Sequence, residues 1–309
     1  MGSPPIAAGR PPSERRDDRI RAAEHYTGVG RAPWPPTYAD PFPAIGGGLV
    51  EIDRPMLDVS ILGGAVQHHG ALIVRSLLAD DDVAVMIDAM RRARAEQARH
   101  YDGIACDHDW FGPIDTGSKM DAVLRKSNAD IGGVWLADSP RATERYLGAL
   151  ARAGVTGLLG EHFGEPPLIS LQKSTMRSVE PAERLTTWHQ DGAFMGENVR
   201  AMNLWVALTD CGGDTGGAGM EMIPRRVEEI LDTTGGIVPH AIPFETVDEI
   251  AVTTPVVNPV FRAGDAIFFD DRFVHRTAAV PGLTTTRLAV ECWFFAPSSF
   301  AETYTRLMA

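Results

Sequence analysis

The sequence predicts an α+β protein, with helices in the first half followed by an antiparallel jelly-roll core. Three observations lead there. Two long segments before residue 165 space their apolar residues as helices do. Six later segments are β-prone and are separated by Gly, Pro, Asp and Glu clusters. One of these, "TTWHQDGAF" (186–194), sets His189 and Asp191 two positions apart.

Taken in order, residues 1–48 hold nine of the 22 prolines and the charged run "SERRDDRIR", with little apolar periodicity. They predict an extended or partly disordered N-terminal arm, and residues 49–309 a single domain. "GALIVRSLL" (70–78) reads as a short buried strand. "ADDDVAVMIDAMRRARAEQARHY" (79–101) follows as a helix, with acidic residues in its first turn and basic ones later. A second helix is expected over 139–163, with Ser139 as N-cap, Pro140 in its first turn and Gly164 as its stop. The β-prone segments are "LISLQKSTMRSV", "RLTTWHQDGAF", "VRAMNLWVALTDC", "DEIAVTTPVVNPVF", "GDAIFFDDRFVHRTAAV" and "TTRLAVECWFF".

Composition narrows the function. A net charge of −12 disfavours a nucleic-acid partner, whose phosphates call for a basic surface. No apolar run approaches the roughly 18–20 residues of a membrane span, and the N-terminus lacks a secretory h-region, so a cytoplasmic protein with a small-molecule substrate is expected. Cys106, Cys211 and Cys292 lie far apart and form no C-x-x-C pair, which predicts buried thiols rather than a disulfide framework or a thiolate metal site.

Nine histidines and 24 aspartates would produce a His-x-Asp triplet roughly 0.7 times by chance, and the chain has a second one, His100-Tyr101-Asp102. That pair sits where a helix runs out before Gly103, a setting that explains both residues without a ligand. His189 and Asp191 lie in a β-prone segment, where residues i and i+2 share a face, together with Thr187. Gly192 then turns the chain and lets the carboxylate swing round. Two imidazoles and one carboxylate with open positions suit Fe(II) and oxygen chemistry. Among the remaining histidines, His275 alone ends a strongly β-prone apolar segment, whereas His68, His69, His162 and His240 read as surface or capping residues. Thr277 follows His275 by two residues and Arg287 opens the last long strand, so a hydroxyl and a guanidinium form a candidate carboxylate clamp.

On these residues the chain resembles the phytanoyl-CoA dioxygenase family, a branch of the Fe(II)- and 2-oxoglutarate-dependent oxygenases. The likeness covers most of residues 65–297: "HHGALIVRSLLADDDVAVMIDAM", the uninterrupted "WHQDG", "LWVALTDC", and "AGDAIFFDDRFVHRT" with Arg287. It implies a double-stranded β-helix (cupin-like jelly roll) and iron held by His189, Asp191 and His275. Arg287 and Thr277 would grip 2-oxoglutarate, and O2 would be consumed with release of succinate and CO2. An intact Asp191 argues against halogenation, which in relatives needs a small residue there. Two departures stand out: "MIPRR" (222–226) replaces a Pro-Gly-Ser-His element, and Arg287 stands one residue late.

Counting by twos along the strands nominates Asn203, Trp205, Glu291 and Trp293 as pocket residues beside Thr187, with Gln172 as a further contact to 2-oxoglutarate or substrate. Three lysines in the whole chain, and no basic cluster in its β half, leave little to bind a nucleotide phosphate, so a secondary metabolite is expected rather than a CoA thioester. The expected reaction is hydroxylation. Desaturation, epimerisation and ring formation use the same cofactors, and a non-catalytic jelly-roll binding module is the reading from a different class.

Overall fold

The computed structural model describes residues 10–26, 36–45, 48–182, 186–196, 199–278, 281–300 and 304–309. In chain order these form α1 (Pro12–Glu24), β1 (Val50–Asp53), α2 (Val59–His69), β2 (Ala71–Arg75), α3 (Asp80–Tyr101), α4 (Lys119–Asp130) and β3 (Gly133–Trp135). Then come α5 (Pro140–Arg152), α6 (Val155–Phe163), β4 (Leu168–Val179), α7 (Gly192–Met195), β5 (Ala201–Ala207) and β6 (Gly219–Met222). The chain closes with α8 (Phe244–Ala251), β7 (Ala266–Phe269), β8 (His275–Ala278), β9 (Arg287–Phe295) and β10 (Arg306–Met308). This is the expected α+β jelly-roll class. The chain folds as two compact units, residues 1–32, 78–178 and 288–309 in one and residues 33–77 and 179–287 in the other.

In the first unit, α1 packs on β10 and α5, and α3 packs on α5. The proline-rich stretch expected to be an arm therefore contains a helix, begun by Pro12 at its first turn and seated with Ala23 and Arg16 buried. The Arg16 guanidinium donates to the carbonyls of Gly112 and Ala137, which satisfies the buried charge. The single helix expected over 139–163 is two, because Gly154 takes a left-handed backbone (φ +82°) and starts a new helix. Helix α4 buries Asp121, Arg125 and Asn128 and exposes Met120, Val123 and Leu124. Its polar face points inward because Arg125 pairs with fully buried Asp138 at 2.5 Å, an arrangement that hydrophobic periodicity reads backwards.

In the second unit, β1, β2, β7 and β5 lie side by side, with β1–β2 parallel and the other pairs antiparallel. Strands β5 and β7 are buried at every position and β2 at all but its last, which is why they read as continuous apolar runs rather than alternating ones. A smaller sheet pairs β6 with β8, Met222 opposite His275 and Met220 opposite Thr277. Among the described residues, two expected strands do not form. "DEIAVTTPVVNPVF" begins inside α8, where Phe244, Val247 and Ile250 recur at helical spacing and pack on Trp188 and Ile242. "TTWHQDGAF" makes only single bridges at Trp188 and His189 before α7. Among the described residues, no helix is long and apolar enough to cross a membrane.

Candidate metal centre

The centre is built from one cross-strand pair and one turn, all within the second unit. His189 and His275 lie directly opposite each other, each main-chain N–H donating to the other's carbonyl at 3.1 Å. Opposed residues in an antiparallel bridge project to the same side, and the two imidazole rings stand 4.4 Å apart. Asp191 then leaves the extended backbone (φ −65°, ψ −25°) at the head of α7. That turn, rather than strand alternation, swings its carboxylate to 3.9 Å from His275 Nε2. One ligand atom from each residue falls within 4.8 Å of the others, a group that could hold a metal ion.

Tautomers follow from the hydrogen bonds. His189 Nδ1 meets the Thr187 carbonyl and His275 Nδ1 the Phe273 carbonyl, both at 3.0 Å. A carbonyl only accepts, so each Nδ1 carries the proton and each Nε2 keeps its lone pair for a ligand. Asp191 Oδ2 is buried and makes no hydrogen bond. An orphaned buried carboxylate oxygen is costly and rare, and beside two imidazole lone pairs it is what a cation would satisfy. The residues present fit a dication with nitrogen and oxygen ligands.

Gly192 is closely packed at this turn. A Cβ there would stand 2.5 Å from Ile230 Cδ1 and 2.7 Å from Asp271 Oδ2, and the Gly192 N–H donates to the Asp271 carbonyl at 2.8 Å. Burial, helped by neighbouring Asp270, pushes the Asp271 carboxyl up to about 6. Gln190 lies between the two ligands. It is almost fully buried: its amide nitrogen donates to the carbonyls of Glu229 (2.9 Å) and Arg272 (2.6 Å), and its oxygen accepts from Leu231 N–H (2.8 Å). No spacing rule announces such a role, because its partners are all main chain.

The other nominated residues divide. Phe269 lies opposite Asn203 on β5, and its ring meets His275 at 4.7 Å, so Asn203 and, two along, Trp205 face the side of the ligands. Arg287 is buried; it donates to the Gly219 carbonyl at 3.4 Å and lies 5.6 Å from the centre of the Trp205 ring. Thr277 shares a face of β8 with His275, and its carbonyl accepts from Thr186 Oγ1 at 2.7 Å. Thr187 supplies the carbonyl that orients His189. Gln172, Glu291 and Trp293 belong to the first unit. There the Gln172 amide nitrogen is engaged by Asp121 at 2.9 Å and Thr305 at 3.4 Å, and Trp293 is fully buried beside Phe295. Phe194, Phe269 and Phe273, all with rings near the two histidines, were not foreseen.

Three other histidines have defined settings. His100 packs edge-on to Tyr101 and Phe111 at the end of α3. His69 is buried against Asp40 at 2.9 Å, and His162 is buried with its pKa lowered to about 4 by desolvation, so neither lies at the surface; each stands in the last turn of its helix, the capping side of the expectation. Cys211 and Cys292 are buried as expected, whereas Cys106 is only partly covered.

A family model for phytanoyl-CoA dioxygenase (PhyH) matches residues 66–283, more than two thirds of the chain. The chain belongs to the PhyH family. No curated protein matches it by sequence. Among solved structures it is similar to EctD from S. alaskensis with 2-oxoglutarate and 5-hydroxyectoine, at 20% identity over 77% of this chain and 76% of that one, with a TM-score of 0.55. EctD with bound Fe matches at 17% identity over 77% and 76% of the two chains, with a TM-score of 0.50. The epimerase SnoN in complex with Fe3+, alpha ketoglutarate and nogalamycin RO matches at 20% identity over 77% and 83%, also with a TM-score of 0.50. At such identities the likeness establishes the fold. The PhyH family and these neighbours are iron- and 2-oxoglutarate-dependent enzymes.

Proposed function

We propose that this chain is a non-haem Fe(II)- and 2-oxoglutarate-dependent dioxygenase that hydroxylates a small organic molecule. His189, Asp191 and His275 hold the iron, and Arg287 with Thr277 grips the distal carboxylate of 2-oxoglutarate. The reading rests on Asp191 Oδ2, buried without a hydrogen-bond partner beside two imidazoles whose Nδ1 atoms are already engaged. Two neutral imidazoles and one carboxylate are the donor set of non-haem Fe(II) oxygenases. When bound, Fe(II) and 2-oxoglutarate supply O2 activation: 2-oxoglutarate leaves as succinate and CO2, and the second oxygen atom goes to the substrate.

The chain's own residues place and shield. The Thr187 and Phe273 carbonyls fix the two ring orientations. Phe269 and Phe273 wall His275 with apolar rings, which keeps water from its flank. Arg287 presents a planar fork of donors in a buried setting, where a charge-assisted pair with a carboxylate is strong. Five site residues of this kind on one unit support a catalytic role over a binding module.

Hydroxylation is supported by EctD, whose structure contains 2-oxoglutarate and 5-hydroxyectoine. Epimerisation is the second reading, supported by SnoN. Anaerobic protein given Fe(II) and 2-oxoglutarate should develop the weak visible charge-transfer band of a chelated keto acid; no band at saturating iron overturns the proposal. A substrate found by stimulated succinate release then separates the outcomes, because a hydroxylated product carries one labelled oxygen from 18O2 and an epimer carries none.

A further inference from the structure

The segment bearing two of the three proposed ligands also suspends a loop. At one end, the Gln190 side chain binds the Glu229 carbonyl and the Leu231 N–H. At the other, the Ile242 N–H donates to the Trp188 carbonyl at 2.8 Å. Leu231 and Ile242 both pack on the Trp188 cluster. Residues 232–241, between these two anchors, contain neither helix nor strand, and Ile237 and Val238 there are about half exposed (52% and 49%).

Within the loop, His240 holds a left-handed backbone (φ +66°), an uncommon state for a residue with a Cβ. Its ring meets Phe194 edge-on at 5.9 Å, and Phe194 in turn stacks on His189 at 6.4 Å with 29° between planes. A continuous series of rings thus runs from the loop to a proposed metal ligand. His240 is exposed and Phe194 half-buried, so this edge-to-face pair offers ring surface on which a further flat ring could stack or pack edge-on.

Charge narrows what enters. Between residues 225 and 250 the chain carries two arginines against six acidic residues. Arg226 is paired with Asp270 at 2.6 Å and with Glu228 at 3.3 Å; Arg225 is exposed. A polyanion such as coenzyme A would be disfavoured by this local excess of acidic residues.

We propose that residues 232–240 are the substrate-recognition loop of this enzyme, that His240 and Phe194 are its specificity-determining contacts, and that they select a ring-bearing small molecule without negative charge rather than an acyl-CoA. This rests on the function proposed above. Protein loaded anaerobically with Fe(II) and 2-oxoglutarate is titrated calorimetrically with 2-naphthol, an uncharged bicyclic probe, and separately with coenzyme A. The visible band is recorded for every preparation, so that loss of the centre is distinguished from loss of the ring contact. The wild type binds 2-naphthol saturably and coenzyme A not at all. His240→Gly, which suits the left-handed backbone, and Phe194→Leu each weaken 2-naphthol binding at least about fivefold. Failure of the wild type to bind 2-naphthol, tighter binding of coenzyme A, or unchanged affinity in His240→Gly overturns the loop assignment while the band is present. Absence of the band in the wild type overturns the underlying function instead.

Discussion

His189 and His275 exchange both main-chain hydrogen bonds at 3.1 Å, so the two imidazoles are placed by the backbone ladder and not by side-chain packing alone. Their partner Asp191 arrives by a turn, with a buried oxygen that has no hydrogen bond. Removing that oxygen has opposite effects on the two forms of the protein. Asp191→Ala abolishes the Fe(II)-2-oxoglutarate band and the rise in Tm on adding Fe(II), while the metal-free Tm is unchanged or higher, because an unsatisfied buried group costs about 1–3 kcal/mol. A lower metal-free Tm would mean the carboxylate is structural. His100→Ala, at the second His-x-Asp, leaves the band intact.

Arg287→Lys tests the clamp. Lysine keeps the charge but loses the paired donors. Losing a charge-assisted hydrogen bond of about 1.5–3 kcal/mol raises the KM for 2-oxoglutarate by roughly 10- to 150-fold. Succinate formation against 2-oxoglutarate concentration measures it. A KM within twofold of wild type would remove Arg287 from co-substrate binding.

Gly192→Ala places a methyl group against Ile230 and Asp271. Overpacking of this kind costs about 1–3 kcal/mol, expected as a lowered urea midpoint, together with weaker Fe(II) binding because the turn carrying Asp191 must shift. An unaltered midpoint and affinity would show that the turn yields freely.

Gln190→Leu removes an amide that serves three main-chain groups. Hydrogen exchange should quicken at Leu231, whose N–H loses its acceptor, while the amides of β7 keep their protection. Uniform quickening through β7 would point instead to global destabilisation.

His162 gives one part of the pH dependence. Burial lowers its pKa to about 4, against about 6.5 in the unfolded chain. The unfolded state therefore binds the extra proton between those values, and the His162 contribution to stability is lost as pH drops from about 6.5 to 4, by up to about 3 kcal/mol, while the raised Asp271 carboxyl contributes in the opposite direction between about 6 and 4. His162→Phe should gain stability relative to the wild type as pH falls, followed by urea denaturation of both at pH 7, 5.5 and 4.5. A curve that keeps the wild-type slope would place the acid sensitivity elsewhere.

Much was legible in the sequence because it depends on local pattern. The α+β order, helix α3, strands β2, β4 and β9, and the preference for His189-Asp191 over His100-Asp102 all follow from periodicity and neighbouring residues. His275, Thr277 and Arg287 could be nominated because apolar β-prone segments flank them. Tertiary structure decided the rest, wherever a residue's role is set by partners distant in sequence. Helix α4 turns polar residues inward because Asp138 is buried beneath it. Residues 244–251 become a helix because Trp188 offers its apolar face a seat. Gln172 was drawn to Asp121 and Thr305, and Gln190 became an anchor because main-chain groups of two loops meet there. The sequence determined which side chains could hold a metal; only the fold decided that Asp191 would meet them through a turn, since that placement depends on the space Gly192 leaves beside Asp271.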